Sequence, residues 1–220
     1  MKKLLTALLV VAMMLSLCSV AFAASFSDTT DLSQGTQASI AKLNALNIIN
    51  GYPDGTFKPG NNITRAEFAK IACIAGGMGT SAEMLQSSPS KFSDVAAGQW
   101  YTGYVNLANS QGWVKGFPDG TFRPNNQITY AEVITVLVRL LGYNDNLPGP
   151  WPVDYIAKAG ALGITDDVSF NSNVPATRGD VAVMADATLD CDVVKWDNDK
   201  EDFENQKYTL LEDKFEAAVN

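Results

Sequence analysis

The sequence predicts a mainly α protein assembled from repeated helix–turn–helix units. Two observations carry the prediction. Gly51 to Phe68 reads GYPDGTFKPGNNITRAEF and Gly116 to Val133 reads GFPDGTFRPNNQITYAEV, 65 positions apart (116 − 51). On either side of both stretches, apolar residues recur at helical spacing. Repeated units without a unique reactive cluster point to a binding surface before they point to an enzyme.

The chain opens on Lys2 and Lys3, then an almost unbroken apolar run from Leu4 to Val20, then Ala21-Phe22-Ala23. This is the pattern of a secretory signal peptide over 1–24. The alternative is a membrane anchor, since the run is about as long as the shortest spanning helix. The small-x-small ending favours cleavage. No later segment is apolar enough to span.

In the first unit, over 25–85, Ile40, Leu43, Leu46 and Ile48 mark the apolar face of a helix. In the second, over 90–144, Tyr104, Val105, Ala108 and Trp113 do the same. Asn47 and Gly112 stand where these helices should end. Next come Tyr52-Pro53-Asp54-Gly55 and Phe117-Pro118-Asp119-Gly120. Proline presets a turn dihedral, aspartate bonds nearby backbone, and Gly55 and Gly120 accept a positive φ. Phe57 and Phe122 follow as apolar anchors, and Pro59 and Pro124 keep any strand short.

A second helix starts at Thr64-Arg65-Ala66-Glu67 and at Thr129-Tyr130-Ala131-Glu132. Both are capping boxes, with Thr64 and Thr129 at the N-cap and Glu67 and Glu132 reaching back. A worn third copy follows over 145–189. Phe170 precedes Thr177 by the same seven positions that separate Phe57 from Thr64, and Thr177-Arg178-Gly179-Asp180 repeats the box with Asp180 as the acid. Its Pro-Asp-Gly turn is missing. From 190 to 220 acids crowd the chain, and this stretch reads as an acidic linker or the start of a further element, outside the core.

Composition excludes several functions. The chain has no histidine, which removes histidine-based acid–base and triad catalysis and His-containing zinc sites. Its net charge of −8 becomes −10 once Lys2 and Lys3 are removed. An acidic chain without a basic tract is a poor nucleic-acid binder. Cys73 and Cys191, the two cysteines after the leader, are too few for a disulfide framework. Asp54 and Asp119 lie outside any D-x-D-x-D-G loop, so no metal and no cofactor is expected.

Phe26-Ser27-Asp28, Phe92-Ser93-Asp94-Val95, the two Pro-Asp-Gly turns and the ITRAE, ITYAE and ATRGD boxes together resemble the S-layer homology domain, over about Phe26 to Leu189. The resemblance implies three tandem repeats in a pseudo-threefold module, with one helix of each repeat in a central bundle. It implies grooves between repeats that bind an anionic, often pyruvylated, secondary cell-wall polysaccharide. The protein, or an envelope protein fused to or associated with it, would thereby be held at the bacterial cell wall or S-layer without a covalent bond.

An arginine just after an N-cap projects from the positive end of a helix, where orphan amides and guanidinium would face the same anion. Its planar fork binds a carboxylate through two hydrogen bonds. Arg65 and Arg178 are therefore the expected carboxylate clamps. Trp100 and Trp151 are candidate stacking walls, with core packing as the alternative. Asp28, Asp94 and Asp145 are candidates to accept sugar hydroxyls or orient the arginines, with helix capping as the alternative. Tyr130 replaces the arginine in the second box, and the first unit has no tryptophan between Asp28 and Ile40, so the grooves are expected to be unequal. Two other functions compete: an S-layer protein acting by self-association, and a glycan-active enzyme, for which no carboxylate pair stands apart from caps, turns and tail.

Overall fold

The computed structural model of the chain describes residues 26–219; the leader expected at 1–24 lies outside them. Among the described residues there are eight helices and one hairpin: α1 Gln34–Ala45, α2 Arg65–Ala75, α3 Gly79–Met84, α4 Thr102–Ser110, α5 Tyr130–Leu140, α6 Val153–Ala161, α7 Arg178–Leu189, β1 Asp192–Asp197, β2 Asp202–Thr209 and α8 Leu210–Val219. The mainly α reading holds.

The repeated residues build the same local structure twice. Asn47 and Gly112 both take left-handed backbone, at φ 57° and 75°, just beyond α1 and α4. In each Pro-Asp-Gly turn the aromatic amide bonds the threonine carbonyl at 2.8 Å, from Tyr52 to Thr56 and from Phe117 to Thr121. Gly55 and Gly120 sit at φ 78° and 79°, which L side chains rarely adopt. Gly51 and Gly116 serve a different purpose. A Cβ on either would fall 2.0 or 2.2 Å from the ring of Phe26 or Phe92. Those rings in turn tilt against Phe57 and Phe122, with centroids 5.4 Å apart in both pairs.

Thr64–Glu67 and Thr129–Glu132 form complete reciprocal capping boxes on α2 and α5. Thr177 caps α7 through the Asp180 amide, but the return bond to its own backbone is absent. Aspartate is one methylene shorter than glutamate, and the Thr177 amide points instead to the Tyr130 hydroxyl at 3.5 Å.

Three helices carry most of the core. α5 touches both α2 and α7, while α4 packs on α2, α6 on α5 and α1 on α7. Each first helix of a unit therefore lies on the second helix of another. Lys42 on α1 secures the last of these pairings, 2.8 Å from Asp186 and 2.9 Å from Asp190. The loops entering α2, α5 and α7 are hydrogen-bonded in a closed cycle. The Ile128 amide bonds the Ile63 carbonyl (3.1 Å), Ala176 bonds Ile128 (2.8 Å), and Ile63 bonds Ala176 (3.2 Å).

The acidic 190–220 stretch, expected as a linker or the start of a further element outside the core, forms a hairpin and a helix and packs on the core. β1 and β2 pair antiparallel, and Val194 and Leu210 are buried. The Val194 amide bonds Leu141 just past α5 (2.7 Å), the Leu210 amide bonds Cys191 just past α7 (3.0 Å), and the Lys214 stem packs over Gly77 just past α2. The segment thus covers the C-terminal ends of all three core helices. The acids hid this because the few apolar residues alternate around a hairpin, and short strands of that kind carry little periodicity.

Candidate functional site

At the opposite end, the N-termini of the core helices do not face an open anion site. The first two amides of α2 bond the carbonyls of Asn126 (2.9 Å) and Pro124 (3.0 Å). Those of α5 bond Val174 and Ser172, and those of α7 bond Asn61 and Pro59. The third amide goes to the cap threonine in each case. The expectation that orphan amides and guanidinium meet one anion is therefore corrected: each unit supplies the carbonyls that satisfy another unit's helix start.

Arg65 is buried at 6% exposure. Its Nε donates to the Phe122 carbonyl at 2.8 Å, Nη1 to the Glu132 carboxylate and Nη2 to the Lys115 carbonyl at 3.3 Å. Its guanidinium lies 4.8 and 4.7 Å from the centroids of Phe117 and Phe122. Burial lowers its pKa from the ordinary value while Glu132 pulls it back. Glu132 does two things at once, because its other oxygen caps Thr129. Three of the five guanidinium N–H groups are thus engaged.

Arg178 sits in a matching place with looser contacts. Its Nε donates to Phe57 (2.8 Å) and its Nη2 to Asn50 (2.6 Å), with Tyr52 and Phe57 against its face. Among the described residues no carboxylate bonds it. Tyr130, where the second unit lacks arginine, stacks on Phe170 at 5.5 Å and hydrogen-bonds Asp180. That position holds no cation.

Around Arg65 the chain forms a groove of about 410 Å³. Its apolar wall includes Trp113, Phe117, Phe122 and Val136, and its rim holds Lys115, Arg139, Asp145 and Trp151. Trp151 is 57% exposed, with its indole N–H donating to Thr135 at 2.9 Å. The structure therefore brings Arg65, Asp145 and Trp151 together. Trp100, 48% exposed, does not join them: it lies edge-on to Tyr101 in a smaller pocket with Lys70, Glu83 and Tyr104.

The three aspartates part company. Asp28 accepts the amides of Phe57 (2.8 Å) and Lys58 (2.7 Å), and Asp94 those of Phe122 and Arg123 (both 2.7 Å). They cap no helix and touch no arginine side chain. They hold Lys58 and Arg123 at φ 58° and 59°, a left-handed strain for residues with a Cβ. Asp145, whose unit has no such turn, instead takes hydrogen bonds from Lys115, from Arg139 Nη2 (2.7 Å) and from the Tyr155 hydroxyl (2.8 Å). The Lys115 contact foremost, with Arg139 and Tyr155, holds its carboxyl well below the usual range despite partial burial. Burial pushes Tyr155 up to about 12, so its hydroxyl stays a donor.

Lys115, Arg139 and Tyr155 escaped the sequence reading. A signal existed: Lys115 and Arg139 stand where the first unit has Asn50 and Ile74, so they are charges added to one copy only.

Comparison with known proteins gives these residues a context. The chain is 38% identical over 198 residues to the Middle cell wall protein of Brevibacillus brevis, covering 89% of the chain and 19% of that protein. It is 35% identical over 190 residues to the Surface layer protein of Brevibacillus choshinensis, covering 86% and 17%. It is 37% identical over 95 residues to the Cellulosome-anchoring protein of Acetivibrio thermocellus, covering 43% and 21%. The chain thus spans about a fifth of the length of these relatives. Residues 25–69 and 91–134, which contain both Pro-Asp-Gly turns and both complete capping boxes, each match the model of the S-layer homology domain.

Proposed function

We propose that this chain is a non-catalytic module that holds an exported protein at the bacterial cell wall or S-layer by binding an anionic secondary cell-wall polysaccharide. The binding surface is the set of grooves between three S-layer homology repeats, the third being 145–189, arranged with pseudo-threefold order around a central bundle of α2, α5 and α7. The closed hydrogen-bond cycle of Ile63, Ile128 and Ala176 supports that arrangement. The observation that carries the function is the Arg65 groove, in which an exposed indole faces a cluster of cationic and hydrogen-bonding groups. An aromatic face suits the apolar face of a sugar ring, and Lys115 and Arg139 suit its anionic substituents. Relatives named for the cell wall, the surface layer and cellulosome anchoring agree with this location and role. Among the described residues no helix is long and apolar enough to cross a membrane.

The two arginines divide the work. Arg65 is locked to Glu132 and shapes the groove around it, whereas Arg178, equally buried at 6% exposure and with no carboxylate partner among the described residues, keeps N–H groups free for a ligand carboxylate. The test is a pull-down with purified sacculi. The wild-type chain should sediment with walls that carry their polysaccharide, the combined Arg65→Ala and Arg178→Ala variant should lose most of that binding, and stripped walls should retain neither. Equal sedimentation with stripped walls would overturn the reading. It would favour self-association, which concentration-dependent sheet formation without walls would establish.

A further inference from the structure

The rim of the Arg65 groove already contains an anion, and it is the protein's own. Asp145 receives Lys115, Arg139 and Tyr155 on one carboxylate. Across the whole groove the charges cancel, with Arg65, Lys115 and Arg139 set against Glu132, Asp145 and Asp154. A groove so balanced has little net attraction for an anionic glycan. We propose that Asp145 is a built-in competitor, occupying on Lys115 and Arg139 the place that a ligand carboxylate takes on binding, so that the groove's affinity is set by exchange of one anion for another. This rests on the glycan-binding reading above.

Three observations single out Asp145 over the other acids. Its counterparts by spacing, Asp28 and Asp94, are committed to backbone amides of a Pro-Asp-Gly unit. The 145–189 segment has no such turn, and Asp145 is released from that duty. The Lys115 and Asp145 side chains are 62% and 59% exposed, so that contact is weakly held and open to exchange, whereas the contact to Arg139, whose side chain is 10% exposed, is the firmer one a ligand carboxylate has to match. The Arg65 and Glu132 side chains are 7% and 25% exposed, and Glu132 also caps α5, so that pair is not exchangeable. Finally, Arg139 is held from behind by Tyr155 and the Trp113 carbonyl, so it keeps its position when Asp145 swings away.

Exchange also fixes the salt response. A ligand carboxylate that replaces Asp145 leaves the rim's charge balance to the displaced side chain, and binding varies little with ionic strength. With Asp145→Asn the incoming anion meets two uncompensated cations, and binding becomes both tighter and salt-sensitive.

The test titrates the full chain with purified wall polysaccharide, with its carboxyl-reduced form, and with acetate as a minimal probe, following heat and the amide resonances of Lys115 and Gly116. Asp145→Asn should bind the native polymer about fivefold tighter than wild type and the reduced polymer equally well. Adding Lys115→Gln should remove the gain. Lys115→Gln alone, at an exposed site, should weaken native-polymer binding without moving the melting temperature, which keeps the proposal testable if the Asp145 variant folds poorly. A wild-type chain that binds the polymer with no gain in Asp145→Asn, or an equal loss on both polymers, overturns the exchange and leaves the anchoring reading standing. A wild-type chain blind to the polymer, beside an Asp145→Asn chain that takes acetate at Lys115, does the reverse.

Discussion

At the scale of single residues, the same side chain does different work according to what its unit lacks. Asp54 and Asp119 occupy equivalent turns, and each bonds the threonine two positions on. Asp119 has an extra partner in Arg123, at 2.9 Å. The Thr121 hydroxyl foremost, with Arg123, depresses the Asp119 pKa to about 2 from an ordinary 3.8. A carboxyl with a lowered folded pKa contributes stability that is complete above the unfolded value and vanishes as pH falls through the folded one. The chain should therefore lose stability between about pH 4 and 2. Asp119→Asn should lower the melting temperature at neutral pH relative to wild type and flatten the acid limb, so that the two proteins converge near pH 2, a pattern that melting curves at graded pH would check. Turn aspartates were legible in the sequence because Pro-Asp-Gly has a local mechanism. The roles of Asp28 and Asp94 were not, because their amide partners lie about thirty residues away and no local rule reaches that far.

At the scale of elements, the capping boxes were the most legible part of the chain, and they are the best place to perturb it. Removing the hydroxyl in Thr129→Ala should cost about 1 kcal/mol, read as a lowered denaturation midpoint with an unchanged slope. The same change at Thr177 should cost less, since that box lacks its return bond. Because Glu132 also holds Arg65, Glu132→Ala should exceed Thr129→Ala in cost, and a larger effect at Thr129 would contradict the dual role. Periodicity located α2 and α5, whose apolar faces are broad. It did not reveal α3, a single short turn of helix pressed on α4 so closely that a Cβ on Gly103 would lie 1.8 Å from the Ala82 carbonyl. Nor did it expose the carbonyls that fill the helix starts, since a loop's long-range hydrogen bonds leave no mark in its composition.

At the scale of the whole molecule, the 190–219 segment closes one end of the core, while the Arg65 groove runs along the side of α5 from Glu132 to Arg139. Deleting everything after Asp190 should lower the melting temperature by several degrees, because it exposes Leu141, Leu189 and the buried edge of α7. Wall binding at room temperature should survive, since no groove residue belongs to the deleted part. Loss of binding in a still-folded truncation would place this segment in the recognition surface. The sequence hid its role through charge: Asp192, Asp197, Asp202 and Glu204 dominate its composition, while the residues that dock it, Val194 and Leu210, are single apolar side chains in a strand and at the start of a helix.

The cycle of Ile63, Ile128 and Ala176 has a consequence for how such a protein gains strength. An open solenoid has free ends and lengthens one unit at a time. Here each entering loop both gives and receives, and the third donor returns to the first acceptor, so no edge is left on which a fourth unit could pair. On the proposed reading of 145–189 as a third repeat, closure fixes the copy number at three. A stronger grip on a wall cannot come from a longer array of this kind. It has to come from tethering whole rings on linkers, where the second ring binds at the effective concentration set by the first.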